Sequence, residues 1–550
     1  MKYNKYILIA VGFMSLASCS DIDDQKPNGE YISGEQKSST VGAIPSRVKA
    51  DLVGMYHMMA APNTYFNEGR ADDGGFSSVA LSFDLNASDM VSPNIGYNWF
   101  SASSEYSDRT ATYANPQMRY GLFYNQIKVA NGIIASIDAN TTNESLLEYL
   151  GQAKACRAFS YLNLAPYFQY RYATSSDLPC VPIVTETTTN FTDNPRATVK
   201  EVYNLIISDL TDARGKLAKF TREDKSYVNL AVVDGLLARA YLNMGEYAKA
   251  AEAAKNAISE TDAKPATREE VSHPFFYDAS EEDWMWGLLL TTSDVADSPA
   301  AETTAASQLG SFSSDGYTGA GCWKEINSFL WNKIPDTDIR KQWWVDKNLK
   351  SSLLDGQTWT TGSSVFKGQD IATAVIPDIK AAFEPYTNVK FGMKSGIGSS
   401  TNNNDYPLMR VEEMYLIEAE GLGMSGNLPE GKSVLENFVR TYRDPSYTCT
   451  ATTKEAFQDQ VWFQRRIELW GEGFAMSDIM RLGKPVVRIH GTNLGNWPDG
   501  FAFNIAPNDG WLLMRFSQTE TNNNRGIVDN TGGSKPKSMQ NSTLTDGVTD

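Results

Sequence analysis

Histidine is nearly absent from this chain, with three in 550 residues, and there are only five cysteines. His57, His273 and His490 have no companion at metal-binding spacing such as H-E-x-x-H, so a His/Cys metal centre has little to be built from. No Gly-rich phosphate loop and no G-x-S-x-G nucleophile turn occurs. No apolar run reaches the ~18 residues that a membrane-crossing helix needs. Basic residues are in deficit, 49 Lys and Arg against 66 Asp and Glu, a net charge of −17. That balance excludes a nucleic-acid binder working by phosphate neutralisation. Aromatic residues, in contrast, are plentiful: 12 Trp, 26 Tyr and 24 Phe. With 41% hydrophobic and 21% charged residues the chain reads as globular.

The N-terminus reads as an address. Lys2 and Lys5 precede an apolar run from Tyr6 to Phe13, too short to span a bilayer but suited to a signal-peptide core. It ends in Leu16-Ala17-Ser18-Cys19, a lipobox-like site that assigns residues 1–18 to a lipoprotein signal peptide and lipidation to Cys19. Residues 19–40, with Asp21, Asp23 and Asp24 near their start, read as an acidic, flexible tether; the acidic start resembles the export signal of outer-leaflet lipoproteins. Lipid would then be the only anchor. Cys156 falls on an apolar helical face and reads as a buried thiol; no disulfide is expected.

Helical periodicity dominates the chain beyond residue 116. Amphipathic patterns run over 117–139, 145–168 and about 198–217. In 229–259, Ala238, Tyr241, Gly245, Tyr247, Ala250 and Ala257 sit at the offsets of a tetratricopeptide unit, where small residues let two helices approach and a Tyr wedges between them. Ala419 and Gly426 echo it weakly in 407–442. Between 262 and 405 periodicity fades, Gly, Ser, Thr and Asn rise, and short strand-like runs appear; seven of the twelve Trp lie between 284 and 359. Helical patterning resumes at 407 and continues to about 483, and 521–550 reads as a polar tail, a surface strand-and-loop finish or disordered.

Three segments carry a resemblance. AKACRAFSYLNLAPYF (153–168) is followed by LPCVPIV (178–184); YPLMRVEEMYLIEAEGL spans 406–422; FQRRIELWGEGFAMSDIMRLGK spans 463–484. In this order, with the tetratricopeptide-like unit between the first two and a lipobox ahead, the chain resembles the SusD/RagB family of outer-membrane lipoproteins that capture nutrients, most often glycans. The resemblance implies a mostly α fold, with tetratricopeptide-like helix pairs as scaffold and a loop-rich, mixed ligand-binding half. It implies one large domain over 41–520, with helix pairs within 117–260 and 407–483 and a variable region at 262–405. It also implies a partner, a SusC-like TonB-dependent transporter over which the lipoprotein sits as a hinged lid. The Ile-Pro-x-x-Glu common near the family's C-terminus is replaced by Leu513-Met514-Arg515-Phe516-Ser517-Gln518-Thr519-Glu520, without proline.

The charges of 463–484 invite a catalytic reading, since Glu468 and Glu472 lie four apart, as on one helix face. Glycosidase acids must flank a cleft at set distances, and arginine neighbours would hold both carboxylates ionised. The segment therefore reads as a structural ion network, and no catalytic residue, cofactor or metal is assigned. Asp72-Asp73, Glu281-Glu282-Asp283 and Asp336-Thr337-Asp338 lack a calcium-loop pattern and read as solvated turns.

A sugar presents an apolar C–H face and a hydroxyl rim, which call for a flat ring on a loop beside polar side chains. By that test Trp462 and Trp470 belong to the core, Trp284 and Trp286 lie in a strand-like alternation, and Trp343-Trp344 sits in a helix-like run. The candidate platforms are Trp99, Tyr317 and Trp323, in Gly/Ser/Asn-rich contexts, with Asn98 and Asp315 as polar companions. The expected activity is capture of an extracellular oligosaccharide and its delivery to the transporter, without chemistry. RagB-like peptide capture and, further off, a surface glycosidase are the alternatives.

Overall fold

The structure, a computed structural model, describes residues 34–62, 65–66, 69–96, 98–296, 300–314, 322–374 and 383–550. Cys19, Asp315 and Tyr317 lie outside the described residues.

Helices form the body, as the periodicity expects. The longer ones are α1 (Gly34–Ala43), α2 (Ser46–Ala60), α3 (Gly75–Asn86), α4 (Ala114–Ser136), α5 (Glu144–Phe168), α6 (Val199–Lys216), α7 (Leu230–Met244) and α8 (Tyr247–Ser259). After the variable region come α9 (Val411–Ser425), α10 (Leu428–Tyr442), α11 (Lys454–Glu468), α12 (Ala475–Leu482) and a short α13 (Gln518–Asn523). Their starts are written in the sequence: Asn143 accepts from the Leu146 amide at α5, and Thr198 and Glu201 form a capping box at α6. The 229–259 pattern divides at Gly245, whose φ of +75° ends α7 and admits α8; Gly426 does the same between α9 and α10 at φ +116°.

α4 to α10 pack in consecutive order, each against the next, and the row is unbroken between α8 and α9 although residues 262–405 separate them in sequence. Small residues make that junction possible. A Cβ at Gly421 would lie 2.6 Å from the Tyr247 carbonyl oxygen, so only glycine lets α9 come this close to α8. The variable region leaves and returns at one place, because its first strand, β4 (Trp284–Leu288), pairs antiparallel with β8 (Tyr406–Arg410), Leu288 opposite Tyr406. Three further two-stranded ribbons complete the strand content among the described residues: β1 (Met90–Val91) with β5 (Glu325–Ile326), β2 (Pro179–Pro182) with β3 (Arg196–Thr198), and β6 (Thr358–Thr361) with β7 (Ser364–Lys367).

Most of the tryptophan is core. Trp284, Trp286, Trp343, Trp344, Trp359, Trp462 and Trp470 are all buried. Cys156 is a buried free thiol, and burial pushes it up to about 12.

The charges of 463–484 form a buried ion network, though not on one helix. α11 ends at Glu468, and Gly471 and Gly473, with φ of +82° and +85°, turn the chain so that Glu472 lies beyond the helix. Glu468 accepts from Arg443, Arg340 and Arg410, and Glu472 from Arg410 and Lys390. Arg465 and Arg481 converge on Asp478, and Arg466 on Asp89 and Asp546.

Three expectations need correction in part. The acidic groups are not wholly solvated turns: Asp72, Asp73, Asp283 and Asp338 are buried, whereas Glu282, Asp336 and Thr337 are exposed turn residues as expected. Asp73 accepts the Phe66 amide, Asp283 faces Arg410, and Asp338 pairs with Arg340, so each is a partnered charge. The tether stops short of residue 40, because α1 begins at Gly34 and buries Val41. The residues after 521 form a mostly exposed loop finish, as one of the two expectations has it, but are tied to the body: buried Asn530 donates to the carbonyls of Phe168 and Met514, and buried Asp546 accepts from Arg466.

Candidate functional site

The β1–β5 ribbon sets the start of the loop that carries Trp99 opposite the segment that carries Trp323. Met90 pairs with Ile326 and Val91 with Glu325, antiparallel. The chain leaving β1 into the 92–100 loop and the chain entering β5 from Trp323 therefore meet at the same end of the ribbon.

Trp99 is 40% exposed, a large aromatic left on the surface. The loop beneath it is fixed by its neighbours. Asn98, expected to face a ligand, is buried instead: its Nδ2 donates to Ser92 Oγ at 2.9 Å and to the Pro93 carbonyl at 3.0 Å, and its Oδ1 accepts from the Phe100 amide. All three bonds are internal, so Asn98 positions the indole rather than meeting a ligand. Phe100 is buried and anchors the other side. Arg70 lies 5.8 Å from the Trp99 ring centroid and pairs with Asp72 at 2.9 Å. Its role is not legible in the sequence, because 62–116 carries no quotable motif.

Trp323 is half-buried, and its Nε1 donates to Glu325 Oε1 at 2.6 Å. The other carboxylate oxygen of Glu325 accepts from Asn496 Nδ2 at 2.9 Å. Burial pushes the Glu325 carboxyl up to about 8, against the downward pull of the Asn496 and Trp323 donors. A ring held through its N–H is oriented before any ligand arrives. The arrangement offers one exposed indole, one partly exposed indole and a guanidinium, which suits stacking and hydrogen bonding.

Glu468 and Glu472 do not resemble an acid/base pair. Burial raises Glu468, but the guanidiniums of Arg443, Arg410 and Arg340 overcome this and hold it far below the usual carboxylate range. Glu472 is likewise lowered, by Arg410 and Lys390 against burial. Carboxylates held ionised in this way are poor proton donors.

Two family models match, over complementary parts of the chain. Residues 67–242 match a SusD-like family described as starch-binding and associating with the outer membrane, and residues 336–543 match the SusD family. The chain belongs to the SusD/RagB family. Among SusD-like relatives, protein P38 of Formosa agariphila is 23% identical over 507 residues, covering 87% of this chain and 91% of the relative. A SusD-like carbohydrate-binding protein from Bacteroides vulgatus superposes with a TM-score of 0.70 at 23% identity, covering 88% of this chain and 97% of that one. A laminarin-binding SusD-like protein superposes with a TM-score of 0.60 at 17% identity, covering 88% and 99%. The SusD-like fold is thus the mostly helical architecture described above.

Proposed function

We propose that this chain is a lipid-anchored, cell-surface glycan-capture protein that holds an extracellular oligosaccharide on Trp99 and Trp323 and passes it to a SusC-like TonB-dependent transporter. The observation that carries the reading is the exposed Trp99 indole, beside Asn98, whose side-chain amide is bonded within the loop. An exposed aromatic covers the C–H face of a pyranose. Net charge of −17 suits a neutral ligand. Membership of a family described as starch-binding, and likeness to a laminarin binder, support a glycan over a peptide.

Isothermal titration of the full chain in detergent against neutral hexasaccharides and against mixed peptides tests the reading. Trp99→Ala and Trp323→Ala should each weaken the bound glycan by about tenfold or more, equal to ~1.4 kcal/mol, with the fold intact. Glycan affinity unchanged in both variants would remove the Trp99–Trp323 platform, and binding of peptides alone would replace the reading with peptide capture.

A further inference from the structure

A groove of about 780 Å³ lies outside the Trp99–Trp323 region; neither of those residues lines it. Its floor is α4, one wall is the loop over 182–194, and the other is α13. The volume is in the range that encloses a small-molecule or oligosaccharide ligand.

The walls are bonded to one another. Tyr120 and Tyr124 stack at 4.2 Å on α4; Tyr124 Oη donates to the Pro182 carbonyl at 2.6 Å, and Tyr120 Oη reaches Glu520 on α13 at 3.4 Å. Asn524 closes the far side, donating to the Asn194 carbonyl and accepting from the Asn194 amide, both at 2.9 Å. The groove is thus formed before a ligand enters.

Its remaining bonding capacity is specific. Among the described residues Gln117, Asn125 and Lys128 line the groove with no hydrogen bond or ion pair of their own. Phe191 is 57% exposed and packs on no other ring among the described residues. At Val184 the main chain of the loop wall is already used: Tyr161 Oη and Asn131 Nδ2 both donate to its carbonyl, and its amide donates to Tyr161 Oη. An extended peptide therefore finds no free strand edge at Val184. Side-chain amides that both donate and accept, beside an uncovered ring, complement a partner made of hydroxyls and C–H faces. Of the nearby charges, Glu186 is paired with Arg157, which leaves Lys128 against Glu520, a balance that gives no preference for an anion.

We propose that this groove is a second ligand site, taking a short neutral oligosaccharide on Phe191 with hydrogen bonds from Gln117, Asn125 and Lys128. It does not depend on the Trp99–Trp323 reading. The full chain in detergent should be compared with three variants on an array of neutral, uronic-acid, sulfated and peptide probes, followed by titration with the best neutral oligosaccharide. The groove variant is Asn125→Ala with Lys128→Ala and Phe191→Ala, all exposed. The platform variant is Trp99→Ala with Trp323→Ala. The third, Gly132→Trp, adds bulk where a Cβ would meet nothing within 4 Å, and removes no contact. The expected result is that the groove variant and Gly132→Trp each lose one neutral-glycan site, or weaken it at least about tenfold, while the platform variant retains it. The proposal is overturned if no neutral probe distinguishes the parent from the groove variant and Gly132→Trp, or if only anionic or peptide probes do. A parent that binds no glycan anywhere counts against it in the same way.

Discussion

Replacing Glu468 with glutamine keeps the side chain's shape and removes its charge. The parent carboxylate accepts from Arg443 Nε and Nη2 at 2.8 Å each, from Arg340 at 3.2 Å and from Arg410 at 3.3 Å, with every partner fully buried. Glu468→Gln leaves three guanidiniums with one anion fewer and points an amide N–H into their midst. Breaking a buried pair in this way costs about 3–5 kcal/mol. At about 2.1 cal/mol/K per residue, a cooperative unit of 550 residues loses roughly 1 °C per kcal/mol. The melting temperature by calorimetry at pH 7 should therefore fall by roughly 3–5 °C. The pH profile supplies a second reading. A carboxylate depressed in the folded state contributes stability that is present above its unfolded pKa of about 4.3 and is lost as pH falls through the folded value. Because that value is far below the usual range, the gap between parent and variant should persist at pH 4 and close only in strong acid. A variant melting within about 1 °C of the parent at pH 7 would show that packing, and not charge, holds this region, as happens when a buried ion pair is replaced without loss.

Other charged and reactive groups set three more outcomes. Glu325 and Asp84 are buried carboxyls pushed up, by burial first, to about 8 and about 7. A raised carboxyl stabilises below its unfolded pKa and loses that contribution as pH rises through the folded one, so thermal stability should decline from about pH 5 to 9. Glu325→Gln should flatten part of that decline. Asp546→Ala removes the anion that meets Arg466 at 2.8 Å and accepts the Val548 and Thr549 amides; limited proteolysis should then cut within 530–550, which the parent resists. Cys19→Ala should move the protein from the membrane fraction to the soluble fraction on cell fractionation, with glycan binding unchanged.

Repetition made the helical scaffold legible. The stripe Ala153, Cys156, Phe159 and the Gly245 stop are local signals, and α4 to α12 run where periodicity places them, whereas α1 to α3 lie in a stretch that carries no such signal. What the sequence hid was set by distant partners. Glu468 and Glu472 have helical spacing, but Gly471 and Gly473 are held at positive φ, the former against Phe391 and the latter against Ala80, and the helix ends. Asp283 has the composition of a turn and the surroundings of a core, because Arg410 arrives from β8. At the site the exposed loop indole could be inferred, whereas the inward turn of Asn98 could not, since its acceptors are the hydroxyl and carbonyl of a loop with no periodicity. The groove is invisible in the sequence because α4, 182–194 and α13 are each unremarkable until Asn194 and Asn524 join them.

Arg466 gives the molecule a temporal order. Its guanidinium pairs with Asp89, 377 positions earlier, and with Asp546, 80 positions later. The helix pairs rest on near neighbours and can form quickly, whereas a charge that finds its counterions only after such long loops close is satisfied late. Until then it must stay hydrated, and any early collapse that traps it unpaired is penalised and reopens. Contacts absent from the folding transition state act on the escape rate, so substitutions at this junction should accelerate unfolding and leave refolding nearly unchanged. The junction thus works as a kinetic clasp, governing how long the folded protein lasts more than how fast it forms.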